Sequence, residues 1–456
     1  MNDVCAIVMA AGKGTRMKSS LPKVLHPVLG KPMISFVLDN VEHLGVGQTI
    51  LIVGHGSDAV VGAVGQRAQV VVQEPQMGTG HALQVAAPHI RDDIRRIMVL
   101  SGDQPLISDE NLGDLLGGLN APGVAMTLLT VSLPWPNDLG RIVRDDSGGG
   151  VVRIIEAREA SREQRAIREV NLGTYAFTRA ALDEYLPRIG MPNAQKEIYI
   201  TDMVLLAAAD GKPVVPVDAV DPHTSIGVNS RKELAQITQV LKDRQNNHWM
   251  REGVTIVDPV STIIHPGCRI GRDTTLLPFT LVEGSTTIGE NCVIGPSTRL
   301  VDSHLGNGVT VQNSVLVEAC VGDDTSVGPF AYLRPGTDVG RSCKIGDFVE
   351  IKKARIDDHS KVPHLAYVGD AHLGAHVNIG AGTITCNYDG KNKHHTEIED
   401  HVHIGANTNL VAPVRIGRGS TTGAGSVVTR DVPPDAVAVG VPARVLRRPP
   451  PASQSS

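Results

Sequence analysis

Residues 321–351 read Val321-Gly-Asp-Asp-Thr-Ser-Val327-Gly-Pro-Phe-Ala-Tyr-Leu333-Arg-Pro-Gly-Thr-Asp-Val339-Gly-Arg-Ser-Cys-Lys-Ile345-Gly-Asp-Phe-Val-Glu-Ile351. An aliphatic residue recurs every six positions, usually with glycine next. Neither a helix, with its period near 3.6, nor a simple strand, with its period of two, produces this spacing. A hexapeptide period marks a parallel β-helix, in which each six-residue side turns one aliphatic inward and three sides make a coil of about eighteen residues. The phase reappears at Ile264, Ile270 and Leu276, at Ile288, Ile294 and Leu300, and at Ile404, Leu410 and Ile416. One coil cannot bury its core, so coils must stack and both ends must be capped.

Composition agrees. Aromatic residues are 3% of the 456-residue chain while glycines number 48, so the interior is built from Val, Ile, Leu and Ala packed against turns. The ladder breaks between Ile379 and Ile404, where Thr385 to Glu397 (TCNYDGKNKHHTE) matches no hexad and is expected to leave the coil as a loop. His394 and His395 within it are expected to face solvent.

Upstream the pattern differs. From Val4 to about Asn229, β-rich runs such as Cys5 to Met9, Thr49 to Val53 and Ile97 to Leu100 alternate with helical patterns, which implies βαβ units on a parallel sheet with ligands at the carboxyl ends of the strands. Arg231 to Arg251 contains neither Gly nor Pro and places Leu234, Ile237, Val240 and Leu241 at helical spacing. The expected organisation is therefore a Rossmann-like nucleotide-binding domain over 1–230, a helical linker over 231–252, and a left-handed parallel β-helix over 253–456. The tail from about 447 is expected to be disordered.

A net charge of −5 argues against a large basic face for nucleic acid or anionic membrane. No apolar run approaches the roughly 20 residues of a membrane span, and the N-terminus lacks the features of a secretory signal. The six cysteines form no CxxC pair, so a cytoplasmic location is expected.

Two groups of residues carry chemistry. After the first strand comes Ala10-Ala11-Gly12-Lys13-Gly14-Thr15-Arg16-Met17, then Pro22-Lys23. A glycine turn lets backbone N–H groups approach a polyphosphate, and Arg16 and Lys23 can neutralise charge that builds during transfer. Gln73 with Gly78-Thr79-Gly80-His81 supplies an amide able to read a base and a second close-approach turn, and Ser101-Gly102-Asp103 ends a strand where a carboxylate can hold Mg²⁺ or cap the next helix. In the repeats, Arg334 and Lys352 follow the inward Leu333 and Ile351 one coil apart, so the two cations can share one anion. His364, Tyr367, Asn378, Asn387 and Tyr388 follow. Imidazole titrates in the range needed to take a proton from an amine.

The string GxGTRMxxxxPK resembles the signature of the sugar-1-phosphate nucleotidyltransferases. Nearly the whole chain is similar to the bacterial bifunctional N-acetylglucosamine-1-phosphate uridyltransferases and glucosamine-1-phosphate acetyltransferases. The resemblance implies that Ala11, Gly12, Arg16, Lys23, Gln73, Gly78, Thr79 and Gly102 hold the uridine nucleotide, and that Gly140, Glu156 and Asn171 contact the sugar. Asp103 and Asn229 match the Mg²⁺ ligands. It implies His364 as general base, with Arg334, Lys352, Tyr367 and Asn378 holding glucosamine-1-phosphate and Ala381, Asn387, Tyr388, Ala406 and Ala424 contacting acetyl-CoA. It further implies UTP and N-acetylglucosamine-1-phosphate as substrates, a product feeding peptidoglycan and lipopolysaccharide precursors, and a homotrimer. Two positions depart from the pattern: Ala406 stands where the family has serine, and Gly440 where it often has arginine, for which Arg444, Arg447 or Arg448 could substitute. The alternatives are a nucleotidyltransferase with a purely structural β-helix, and an oligomeric scaffold without activity.

Overall fold

The aliphatic run Val4 to Val8 has no exposed side chain, as expected of a strand covered on both faces. It belongs to β1 (Val4–Ala10), the middle of the first sheet in this computed structural model, which describes all residues except 13, 55–57, 135, 146–148, 191–196 and 447–456. The expected tail lies outside the described residues. The chain divides into two compact units, Met1–Leu241 and Lys242–Ser456.

In the first unit β1 pairs in parallel with β2 (Gln48–Val53), which pairs with β3 (Gln69–Val72), and on its other side with β4 (Arg96–Ser101). Further along the chain come β5 (Met126–Ser132), the hairpin of β6 (Arg141–Arg144) and β7 (Val151–Ile155), β8 (Glu169–Thr178) and β9 (Val214–Asp218). The order is β9-β5-β8-β4-β1-β2-β3. The sheet is mixed, which corrects the all-parallel expectation: β8 runs antiparallel to both β4 and β5. Between β5 and β8 the chain makes the β6–β7 hairpin rather than a helical crossover to a parallel neighbour, so it re-enters the sheet reversed. Separate apolar clusters cover the two faces.

The helix Arg231–Arg251 starts at a reciprocal cap, the Glu233 carboxylate accepting from the Ser230 N–H at 2.7 Å and the Ser230 hydroxyl from the Glu233 N–H at 3.4 Å. The two compact units divide within it. Ile237 is buried in the first unit. In the second, Lys242 donates to the Val260 carbonyl (2.6 Å) and Asn246 to those of Pro259 and Thr262 (3.0 and 3.1 Å). These carbonyls lie on the first coil, so polar side chains supply the cap that its open end requires.

The second unit is the expected β-helix. Its short strands stack in three parallel ladders that begin at Thr255–Ile256, Ile263–Ile264 and Arg269–Ile270, called here faces one, two and three. Every hexad aliphatic named above is buried and points into one continuous core. The hexad count fails where coils are one or two residues short, as where Val311 pairs with Val327 and Ile345 with Val362. The expected loop is also shorter than predicted. Ile384–Cys386 and Thr396–Ile398 remain in the ladders of faces two and three, and only residues 387–395 leave the coil. Thr385 passes as an inward residue because it has the shape of valine and its hydroxyl is satisfied, accepting from the Gly369 N–H at 2.8 Å. At the far end Val437–Gly440 pairs antiparallel with Ala443–Leu446 and closes the last coil.

Candidate active sites

At the carboxyl ends of β1 and β4 a cavity of about 610 Å³ is lined by Ala11, Gly12, Arg16, Lys23, Gln73, Gly78, Thr79 and Asp103 among others. No atom lies within 4 Å of where a Cβ on Gly12 would project, so the turn is open to a ligand. Gly78 has φ +97 and a Cβ there would meet the Ile198 carbonyl at 2.6 Å, so this position requires glycine. The Gln73 side chain is buried and donates to the Gly78 carbonyl at 3.0 Å, which fixes its amide at the cavity wall. Gly102 ties its N–H to the Met9 carbonyl (2.9 Å) and so sets the level of Asp103.

Lys23 Nζ sits between Asp103 Oδ2, with which it makes a short ion pair, and Asn229 Oδ1 at 3.1 Å. Two oxygens from distant parts of the chain therefore already converge on one cation. Asp103 does not cap the next helix: Ser108 caps Asp109–Gly118, accepting from the Asn111 N–H. The Ser101 hydroxyl instead donates to Asp103 Oδ1 at 2.7 Å. Asn229 is held from the other side, its N–H donating to Glu233 at 2.7 Å. Among the described residues no cluster of three or more His, Cys, Asp or Glu could hold a metal ion. An Asp–Asn oxygen pair fits a hard divalent cation that takes its remaining ligands from water and phosphate.

Glu156 and Asn171 line a neighbouring cavity of about 270 Å³ that also includes Thr79 and Tyr199. Burial, with Glu159 and Asp202 nearby, raises the Glu156 carboxyl above its ordinary range. Asn171 donates to the Tyr175 hydroxyl (2.7 Å) and accepts from the Gly173 N–H (3.1 Å), while its own N–H donates to the Gly140 carbonyl (2.9 Å). Gly140 is thus tied to Asn171 through the backbone but does not itself line the cavity. Sequence reasoning missed Gln76, which donates to the Ala11 carbonyl at 2.6 Å, and Tyr199, whose hydroxyl is pushed up to about 12 by burial and Glu197. Neither sits in a spacing that distinguishes it from an ordinary polar or aromatic residue.

On the coils, pairing register assembles the second group. Asp347 and His364 pair on face one, and the same column continues through Ala381, Ala406 and Ala424. His364 Nδ1 lies 2.6 Å from Asp347 Oδ1. The Asp347 carboxyl is held below its ordinary range by this bond. The three alanines leave the corner beyond His364 free of bulky side chains. Asn378 stands on face one beside Lys361. Arg334 and Lys352 share a column on face two, as expected, and Gly369 follows them, leaving room for the Tyr367 ring to lie across it.

The cations are not bare. Arg334 donates to Glu350 at 2.7 Å, and Lys352 is 3.9 Å from Asp370, which also accepts a short bond from Asn387. Lys393, from the loop, lies against Lys352, whose charge pushes its ammonium down. Asp347, Glu350, Asp370 and Lys393 were all missed, because only the register places them beside the predicted residues. Tyr388 is exposed, as is His395, but His394 is half-buried and bonds Asp389 at 2.7 Å, which corrects the expectation of a solvent-facing side chain. Arg444 is exposed on the closing strand, and Arg447 and Arg448 lie outside the described residues.

An α/β unit with a glycine-lined phosphate turn, joined to coils of a hexapeptide transferase, defines a two-part transferase. The MobA-like NTP transferase domain matches residues 6–140, and the bacterial transferase hexapeptide (six repeats) matches 261–301 and 395–430. The chain is 50% identical over 439 residues to the bifunctional protein GlmU of Heliobacterium modesticaldum, covering 96% of each chain. It is 47% identical to that of Desulfitobacterium hafniense (95% of each chain) and 46% identical to that of Brevibacillus brevis (96% of this chain and 95% of that one). The chain belongs to the GlmU family. Among solved structures, an inositol-1-phosphate CTP transferase from T. maritima aligns at TM-score 0.40 and 17% identity, covering 52% of this chain and 94% of that one.

Proposed function

We propose that this bifunctional enzyme makes UDP-N-acetylglucosamine in two steps, one in each unit. In the first, the amine of glucosamine-1-phosphate attacks the thioester of acetyl-CoA. A C–N bond forms, the C–S bond breaks, and the amine proton passes to His364 Nε2 and from there to the departing thiolate, so that CoA leaves as the free thiol and the imidazole is restored. Asp347 at Nδ1 supports this reading: it holds the ring with the other nitrogen outward and stabilises the imidazolium that forms. Arg334 and Lys352 take the sugar phosphate.

In the second step a phosphate oxygen of N-acetylglucosamine-1-phosphate attacks the α-phosphorus of UTP and pyrophosphate leaves. The glycine turns position the nucleotide, Gln73 reads its base, and Glu156 and Asn171 hold the sugar. Arg16 and Lys23 neutralise the leaving phosphates. Asp103 and Asn229 would hold Mg²⁺, which when bound neutralises charge on the transferring phosphoryl group. The observation that carries the reading is the Asp347–His364 pair on face one, on coils whose face two carries the Arg334–Lys352 column, since a purely structural β-helix has no use for a carboxylate-held base.

No helix among the described residues is long and apolar enough to cross a membrane, and all six cysteines are free thiols, which fits a reducing cytoplasm. The enzyme is proposed to act as a homotrimer. Phe330, Phe348 and Leu365 form an exposed apolar column next to His364, with the two phenyl rings stacked at 5.3 Å, a surface suited to burial against a second copy. The purified protein, given glucosamine-1-phosphate, acetyl-CoA, UTP and Mg²⁺ with each omitted in turn, tests the reading. Thiol release should require only the first two. Pyrophosphate release should require UTP and Mg²⁺ and should depend on acetyl-CoA unless N-acetylglucosamine-1-phosphate is supplied.

A further inference from the structure

Two residues after Asp370 the chain places His372 on face three, between neighbouring coils. Its Nε2 lies 2.9 Å from Asp357 Oδ2 on the preceding coil, and its Nδ1 lies 2.9 Å from Glu397 Oε1 on the following one. A neutral imidazole has a single N–H and can donate to only one of these carboxylates, whereas the imidazolium donates to both. Burial alone would lower the His372 pKa, but the bond to Asp357 and the charges of Glu397 and Asp357 outweigh it, and the net shift is upward. The other groups facing this pair of bonds are Arg355, which donates to Asp357 at 2.8 Å, and His395, whose Nε2 is 3.2 Å from the second Glu397 oxygen. Arg415 stands beside Glu397 in register and spends its guanidinium on Glu399.

Glu397 lies just past the outgoing end of the loop 387–395, and its neighbour Thr396 donates its N–H to the Asp370 carbonyl at 3.1 Å. At the incoming end Asn387 bonds the Asp370 carboxylate. Both ends of the loop therefore converge on Asp370, and at the outgoing end, where the strand Thr396–Ile398 enters the ladder of face three, His372 adds a side-chain tie across coils. We propose that His372 is a positioning residue that clamps the outgoing end of this loop to the coil wall as an imidazolium, and that the clamp loosens as the ring loses its proton. The consequence for catalysis rests on the reading of Asn387 and Tyr388 as acetyl-CoA contacts.

The sign follows from the upward shift. The clamp is complete below the ordinary histidine range and is lost as pH rises through the raised value of the folded protein. Full-length wild type, His372→Gln and His372→Arg are compared from about pH 6 to about pH 9. At the acid end His372→Gln should raise KM for acetyl-CoA by about threefold, the scale of a half-exposed charged pair, and leave kcat for acetyl transfer and the whole of uridylyl transfer unchanged. The ratio of variant to wild-type KM should approach one at the alkaline end. His372→Arg, which can donate to both carboxylates at every pH, should keep the low KM throughout. Hydrogen exchange of residues 387–395 should be faster in His372→Gln than in wild type at the acid end and equal at the alkaline end. A KM ratio independent of pH, or loop exchange that is the same in all three proteins, overturns the proposal. Should wild type release no thiol from acetyl-CoA, the functional reading fails, and the exchange measurement still decides the clamp.

Discussion

Asp347 and His364 touch at 2.6 Å on an exposed corner, where a packed core histidine would have no reason to be. His364→Ala should lower acetyl transfer by about 10²- to 10⁴-fold, the usual contribution of general acid–base catalysis, with melting temperature and uridylyl transfer unchanged. Much of the loss should return at high pH, where the substrate amine deprotonates without help. Thiol release and thermal unfolding followed across pH in one preparation check this. Glu156 calls for the opposite kind of test. A carboxyl whose folded pKa is raised by burial penalises the folded state at neutral pH, and that penalty disappears as pH falls through the raised value. Glu156→Gln should therefore raise the melting temperature of the free protein at neutral pH, with the gain shrinking toward acid, and should raise KM for N-acetylglucosamine-1-phosphate. A variant with a lower melting temperature at every pH would contradict this reading of Glu156.

Among the elements, the coil at Thr385 shows how a polar residue holds a place in an aliphatic ladder. Its hydroxyl accepts the Gly369 N–H at 2.8 Å and is completely buried with it. Thr385→Val adds apolar surface yet leaves that N–H without a partner, so it should destabilise the second unit by about 1–3 kcal/mol. Denaturant unfolding of the variant against wild type measures this, and a neutral or stabilising result would mean that the Gly369 N–H finds another acceptor. The same coil carries the inserted loop, whose Asp389 accepts from the N–H groups of Lys391 and Asn392 and from His394, so the insertion is itself an ordered turn.

For the whole molecule, the division at Leu241 bears on how the two activities can be separated. A fragment cut at residue 230 loses Glu233, whose carboxylate fixes the N–H groups of Asn229 and Ser230, and loses the buried Ile237. We expect residues 1–241 to keep uridylyl transfer and residues 1–230 to lose most of it, measured as pyrophosphate release. Equal activity of the two fragments would remove Glu233 from the support of Asn229. Assembly is tested at the Phe330–Phe348–Leu365 column, whose side chains are each more than half exposed. Phe348→Asp should shift the sedimenting species from trimer to monomer, abolish acetyl transfer and spare uridylyl transfer. A fully active monomer would rule out the proposed homotrimer as the active form.

The sequence by itself determined the β-helix, because one inward aliphatic per six residues is a local pattern that only stacked coils can bury, as Val321 to Ile351 shows. It likewise singled out the glycine turn from Gly12 to Lys23 and, through family resemblance, part of the lining of the two cavities of the first unit. Only the tertiary structure decided what depends on register. Asp347 faces His364, Lys393 reaches Lys352, and His372 meets Asp357 and Glu397 across coils shortened by one or two residues or interrupted by the loop, so no fixed spacing connects them. The reversal of β8 was equally hidden, since the direction in which a strand enters a sheet follows from the path of the chain between strands and leaves no mark on the apolar pattern of the strand itself.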